Sequence, residues 1–153
     1  MSSGLDRLLI YKMAEELELE IHEITKGFPA DERFRSVDQL SRSSSSVSNN
    51  IAEAYNKRSV RDRIRILHDI CRGEAEETRT NLLRCAKKGF CDAAEARRIA
   101  DRYEELMKAI SGFVGYLRKQ ELLMNVQSRT PRPPPSHSLP PRPPKAGLPP
   151  RPL

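Results

Sequence analysis

Leu40–Tyr55 reads LSRSSSSVSNNIAEAY, and serine fills five of its first seven positions. By composition the stretch is a flexible linker; its spacing says otherwise. From Val37 onward, Leu40, Ser44, Val47, Ile51 and Ala54 recur at steps of four and three, as residues on one face of an α-helix do. No glycine or proline interrupts the chain between Pro29 and Gly73, whereas a true linker carries breakers and loses its apolar register. Serine costs up to ~0.7 kcal/mol per position relative to alanine in a helix. Such a helix forms only if packing stabilises it, and its small side chains let a neighbouring helix come close. The stretch therefore predicts a helix with a thin apolar face, from about Asp31 to Asn56.

Three more segments follow the same period on either side of it. The first runs from about Leu5 to Lys26, with Ile10, Ala14, Leu17, Ile21, Ile24 and Phe28 as its seam. It leaves Glu15, Glu16, Glu18, Glu20 and Glu23 mostly for other faces, and Gly27 and the bend at Phe28-Pro29 end it. The third runs from about Ser59 to Lys88 along Ile64, Leu67, Cys71, Ala75, Thr78, Leu82 and Cys85, with Ser59 as N-cap and Gly89 just past its end. The fourth starts at the cap Asp92, buries Ala96, Ile99, Tyr103, Leu106, Ile110, Phe113 and Leu117, and fades near Met124. Short connections at Gly27–Ala30, Lys57–Ser59 and Gly89–Asp92 join the four into an all-α, up-down-up-down antiparallel four-helix bundle over residues 1–128. No segment has a strand pattern, and the only repetition is the heptad-like spacing of bundle packing.

Residues 129–153 differ in kind. Eleven of the twelve prolines lie between Pro131 and Pro152, and the segment has five basic residues and no acid. It cannot bury a core and is expected to be a disordered Pro/Arg-rich tail with polyproline II character. Pro140, Pro143 and Lys145 fit the P-x-x-P-x-K pattern that SH3-type grooves recognise; the plainer reading, a basic and stiff solvated tether, is preferred. Without the tail, 22 basic residues face 21 acidic ones, a net charge of +1. Any nucleic-acid argument must therefore rest on local patches, not on global charge.

Several classes of function find no support. No stretch approaches the ~18 consecutive apolar residues of a membrane span. The opening MSSGLDRLLIYKMAEE meets acids too early for a secretory signal. Three cysteines cannot all pair within one chain, so a reducing cytoplasm is the expected setting. Cys71 and Cys85 sit on the seam as small core residues. Cys85, Cys91 and the three scattered histidines give no metal-ligand spacing. There is no nucleophile with an evident base, no glycine-rich phosphate loop and no acid pair in an apolar context. The expectation is a non-enzyme without cofactor or metal.

The densest basic run is NKRSVRDRIR, Asn56–Arg65, where Lys57, Arg58, Arg61, Arg63 and Arg65 face one acid, Asp62. At about 100° per residue, Arg58, Arg61, Arg65, His68, Arg72 and Arg79 fall within a stripe about 80° wide, roughly a quarter turn from the apolar seam. A row of guanidinium groups can contact successive phosphates of RNA or DNA. Against this, Arg58–Asp62, Arg65–Asp69 and Arg72–Glu76 are i,i+4 pairs of the kind a solvated face carries. That pairing would leave Lys57, Arg61, Arg63 and Arg79 as the freer charges, while Lys87 and Lys88 complement the C-terminus of the third helix. Asn50 and Glu53, bracketing Ile51, are expected to hydrogen-bond across helices or subunits. Arg33, after the Phe28-Pro29 turn, is expected to pair with a nearby carboxylate. Leu9, Met13, Ile66 and Ile70 lie outside the seams, and a second apolar strip predicts self-association.

KGFPADERF (Lys26–Phe34) and DQLSRSSSSVSNNIAEAY (Asp38–Tyr55) together resemble a known pattern, that of the four-helix bundle proteins encoded in intervening sequences of bacterial 23S ribosomal RNA genes. The matching features are Phe28-Pro29, Glu32-Arg33, Gln39-Leu40, Asn50-Ile51-Ala52-Glu53 and Arg58-Ser59. CRGEAEETRTNLLRCAKKG (Cys71–Gly89) is similar to the family's third helix, with its glycine, Glu76 and leucine pair before a turn. The similarity spans roughly residues 8–118. Where the family usually has Arg-Arg-Ala-Ala this chain has Arg42 and serines, and Ala54 replaces the usual glycine after Asn-Ile-Ala-Glu. The resemblance implies a homopentamer and RNA binding. It also points to a sister group, the accessory proteins of diversity-generating retroelements, which have a basic surface and bind a reverse transcriptase and nucleic acid. Ile51–Arg63 and Arg102–Lys119 lean towards that group. A further alternative is a protein-binding scaffold that carries the Pro-rich tail as its ligand arm.

Overall fold

The computed structural model describes residues 4–5, 8–129 and 147. Its long helices are α1 (Leu9–Thr25), α2 (Ser36–Asn56), α3 (residues 60–87) and α4 (Ala93–Ser128), and no strand occurs among the described residues. α1 packs on α2, α2 on α3 and α3 on α4, and α4 closes the ring against α1. Short turns between neighbours give this succession in an up-down-up-down bundle. Apart from Arg129 and Gly147, the Pro-rich tail lies outside the described residues.

The serine stretch is helical throughout. Leu40, Val47, Ile51 and Ala54 are buried, together with Ser43, Ser44 and Ser48. Buried hydroxyls need partners, and these have them. Ser43 and Thr78 meet at 2.7 Å across the α2–α3 contact, while the Ser45 and Ser48 hydroxyls donate to the Glu18 carboxylate of α1 at 2.8 and 2.7 Å. Serine is thus poor for the helix alone and useful for the bundle: it is small enough for close approach, and its hydroxyls accept from Thr78 on one neighbour and donate to Glu18 on the other.

The turns follow their sequence signals. The Ser59 hydroxyl accepts from the Asp62 N–H at 3.3 Å, and the Asp92 carboxylate accepts from the Glu95 N–H at 2.9 Å, so each caps the helix that follows. Gly89 has φ 82°, and the N–H groups of Gly89 and Phe90 donate to the carbonyls of Ala86 and Cys85. This is a Schellman ending, in which a side chain at the left-handed position would be strained. Phe28 is buried with its ring 5.9 Å from Phe90, so the Phe-Pro turn is locked to the α3–α4 turn at the same end of the bundle.

The expected boundaries and register change at several places. α1 begins at Leu9 instead of Leu5. α2 begins at Ser36 instead of Asp31, because Ala30–Glu32 forms a 3-10 turn. Glu32 accepts from the Ser36 hydroxyl at 2.6 Å and its N–H at 3.4 Å, satisfying the free end of α2 there. Ile66–Cys71 within α3 is wound as a π-helix, which places Ile66 and Leu67 side by side in the core. Ile66 is therefore core and not part of a second exposed strip; Ile64, Ile70 and Met13 are half-buried against the same cluster. Thr25 is buried where Ile24 was expected, its hydroxyl donating to the His22 carbonyl at 3.0 Å, and Val114 is buried where Phe113 was expected. α4 continues past Met124 to Ser128, with Leu117 its last buried residue. About 16 Å of helix thus extends beyond the packed part.

Candidate nucleic-acid interface

The basic residues around the start of α3 divide by what they touch. Arg58, Arg61, Arg65 and His68 are exposed, and no carboxylate lies within ion-pairing distance of the three arginines among the described residues. Lys57 pairs with Glu53 at 3.6 Å. Arg63 is half-buried, its Nε donating to the Lys57 carbonyl at 2.7 Å, where it satisfies an acceptor at the end of α2. Arg79 is clamped by Glu76 at 3.4 Å and by Glu104 of α4 at 2.6 Å. Arg72 is half-buried in an open cleft of roughly 400 Å³ shared with Glu104, Met107, Lys108 and Ser111 of α4.

This inverts most of the expected division of charges. Arg58–Asp62, Arg65–Asp69 and Arg72–Glu76 do not form ion pairs, so Arg58, Arg65 and Arg72 keep no helix partner among the described residues. Lys57, Arg63 and Arg79, expected to be free, are engaged, and Arg61 alone of that set is free as expected. The causes are local. Arg58 precedes the first turn of α3 and is not on the helix at all. Asp69 sits in the π segment, where stacking runs i to i+5 and an i,i+4 pair is out of register. Glu76 turns to Arg79 instead of Arg72.

A second charged surface, between α1 and α4, is fully matched. Arg98 bridges Glu20 and Glu95 at 3.0 and 2.7 Å, and Arg102 bridges Glu16 and Glu20 at 3.0 and 2.9 Å. The hydrogen bonds that Arg98 donates to Glu95 and Glu20 hold its guanidinium even more firmly in its charged form. Inside this seam the Tyr103 hydroxyl is buried without a partner among the described residues, and burial beside Glu18 and Glu20 pushes its phenol up from the usual range. Burial likewise pushes the Cys71 thiol up to about 12, which makes it an inert core group.

The remaining residues singled out in the sequence take structural places. Phe28 is core, and Pro29 leads into the 3-10 turn. Asn50 does not cross to another helix of this chain: its amide donates to the Ser46 carbonyl at 2.7 Å and hydroxyl at 2.9 Å on its own helix. Glu53 pairs with Lys57 in the same way. Arg33 pairs with no carboxylate among the described residues; its guanidinium lies 5.5 Å from the ring of Phe34, which is 84% exposed. Phe34 was missed in the sequence because it lies on no seam, although its flanking by Arg33 and Arg35 was visible. Among the described residues no cluster of His, Cys, Asp or Glu is arranged to hold a metal ion, and no helix is long and apolar enough to cross a membrane.

No curated protein matches the chain. A crystal structure to which it is similar is that of a protein of unknown function from the S23 ribosomal protein family of Bacteroides thetaiotaomicron. The TM-score is 0.63 and the sequence identity 25%, covering 69% of this chain and 98% of that one. The model of the 23S rRNA-intervening sequence protein family matches residues 6–112, all four helices up to the middle of α4. With the Phe-Pro turn, the Asn-Ile-Ala-Glu segment of α2 and the bundle in their places, the chain belongs to the 23S rRNA-intervening sequence protein family.

Proposed function

We propose that the protein is a non-enzymatic, self-associating RNA-binding bundle that holds phosphates along the start of α3. The observation that carries this reading is the row of Arg58, Arg61 and Arg65, exposed and without carboxylate partners among the described residues, in a body whose net charge is near zero. Unmatched guanidinium groups at and just before the start of a rigid helix release counterions when they meet phosphates, and the family's link to ribosomal RNA genes makes RNA the first ligand to try. The test is a salt titration of RNA binding with the Arg58→Gln/Arg61→Gln/Arg65→Gln variant. For three lost single-strand contacts the slope of log K against log salt should fall by about 2. The thermal midpoint should barely move, since none of the three side chains is packed. An unchanged slope removes the stripe from the reading.

Self-association is supported by apolar surface on α4, where Leu122, Leu123, Met124 and Val126 are 63–69% exposed beyond the last buried residue. A second copy covers this surface in the proposed assembly, and the resemblance suggests five copies. A monomeric mass by light scattering at micromolar concentration would defeat that part. A reverse transcriptase is the alternative partner to assay if the assembly forms but free RNA does not bind.

A further inference from the structure

The far end of the bundle, where α1 passes to α2 and α3 to α4, carries a second basic surface of a different design. Phe34 stands out of it, 84% exposed. Burying a phenylalanine side chain is worth roughly 1.5–3 kcal/mol, so this ring, the most exposed large hydrophobic among the described residues, is open to a ligand. Arg33 lies 5.5 Å from the ring centre. The ring forms one wall of an open cleft of roughly 520 Å³ with Arg35, Arg42 and Lys88. Both acids in the cleft are engaged: Glu32 accepts from Ser36 at 2.6 Å, and Asp38 pairs with Arg42 at 3.1 Å. Among the described residues no carboxylate lies within ion-pairing distance of Arg33, Arg35 or Lys88. The Ser36 hydrogen bond holds the Glu32 carboxyl below its usual range, Arg35 and Lys88 stand close enough to help, and Lys88 lies 5.9 Å from the Phe90 ring.

We infer that this corner is a binding site for single-stranded nucleic acid, in which an unstacked base lies on the Phe34 ring and Arg35 and Lys88 hold the flanking phosphates. An exposed aromatic face beside a positive cleft is the arrangement by which proteins take single strands without sequence preference: every base has a π-face and every linkage a charge. A duplex offers neither an open base face nor the flexibility to enter the cleft. The inference rests on the proposed RNA-binding function but uses other residues, at the opposite end of the bundle from Arg58 and Arg61. It adds a preference for strand state that the arginine row cannot supply, since phosphates alone look much alike in single and double strands.

The experiment compares three labelled probes on the full chain by fluorescence anisotropy: a uridine 12-mer, the same strand with abasic sugars, and a duplex of equal length. Phe34→Ala should weaken the uridine strand about tenfold and leave the abasic strand and duplex within twofold. Phe34→Trp should restore the uridine affinity. Arg35→Gln with Lys88→Gln should weaken the uridine and abasic strands alike. If wild-type protein binds none of the probes, the RNA-binding function itself falls and this site with it. If it binds them and Phe34→Ala matches wild type, or loses the abasic strand equally, only the stacking site is overturned. A changed mass of Phe34→Ala in light scattering also overturns it, because the ring is then an interface between copies.

Discussion

The α1–α4 seam and the first turns of α3 use the same residue types and end in opposite states. On the seam, Arg98 and Arg102 meet Glu16, Glu20 and Glu95 at 2.7–3.0 Å, and every charge has its counterpart on a facing or adjacent turn. At the start of α3, Arg58, Arg61 and Arg65 stand beside Asp62 and Asp69 and pair with neither. The difference does not lie in the count of acids. On the seam Glu16 and Glu20 come from a second helix held at fixed distance by the core, and only Glu95 comes from the arginines' own helix. Along α3 the acids would have to come from the same helix, and the cap and the π segment put them out of reach. Charges that a fold has already matched make structure, and those left unmatched on a rigid element remain for a ligand.

Three perturbations separate these surfaces, beginning with the frame that holds both. Ile51→Asp places an unpaired charge where the side chain is fully buried, and should cost several kcal/mol and abolish the cooperative thermal transition. A surviving transition and helical circular dichroism would mean that α2 does not support the rest. Next comes the Ser45→Ala/Ser48→Ala pair, which strips both hydroxyl donors from the Glu18 carboxylate. A loss of about 1–3 kcal/mol in denaturant unfolding is expected, with RNA affinity kept. The smallest effect is that of Arg102→Ala, a loss of about 1 kcal/mol with no change in the salt dependence of RNA binding. The α3 arginine variant should behave in reverse, with unchanged stability and reduced binding. If Arg102→Ala weakens RNA binding as much as the α3 variant does, the division between matched and unmatched charge collapses.

Much of the fold was legible because the core depends on spacing. The seams through Ile10–Ile21, Leu40–Ala54, Cys71–Cys85 and Ala96–Ile110 are buried as the 3-4 alternation predicts. Ser59, Gly89 and Asp92 end and begin helices through chemistry that each residue carries by itself. The charged surface was far less legible, since an ion pair depends on which helix faces which and on the phase between them. A wheel drawn at constant pitch cannot see the π segment, although the double step of four from Leu67 to Cys71 to Ala75 was its trace in the sequence. Phe34 escaped for a different reason: apolar spacing finds residues that share a face, and this ring belongs to none.

The π segment has a consequence for how such a chain can change. A helix that holds one residue more than its α-wound length is spliced from two halves, each with its own phase. Deleting a single residue from Ile66–Cys71 would return α3 to uniform pitch and shorten the chain without shortening the bundle. The half that carries Arg72 and Arg79 stays keyed to α4 through Glu104, and the half that carries Arg61 and Arg65 stays keyed to the core through Ile64 and Ile66, because the wide turn alone absorbs the extra residue. The arginine row therefore keeps its direction with or without that residue. One codon can be gained or lost at this point without re-aiming the unmatched charge or asking the rest of the fold to move.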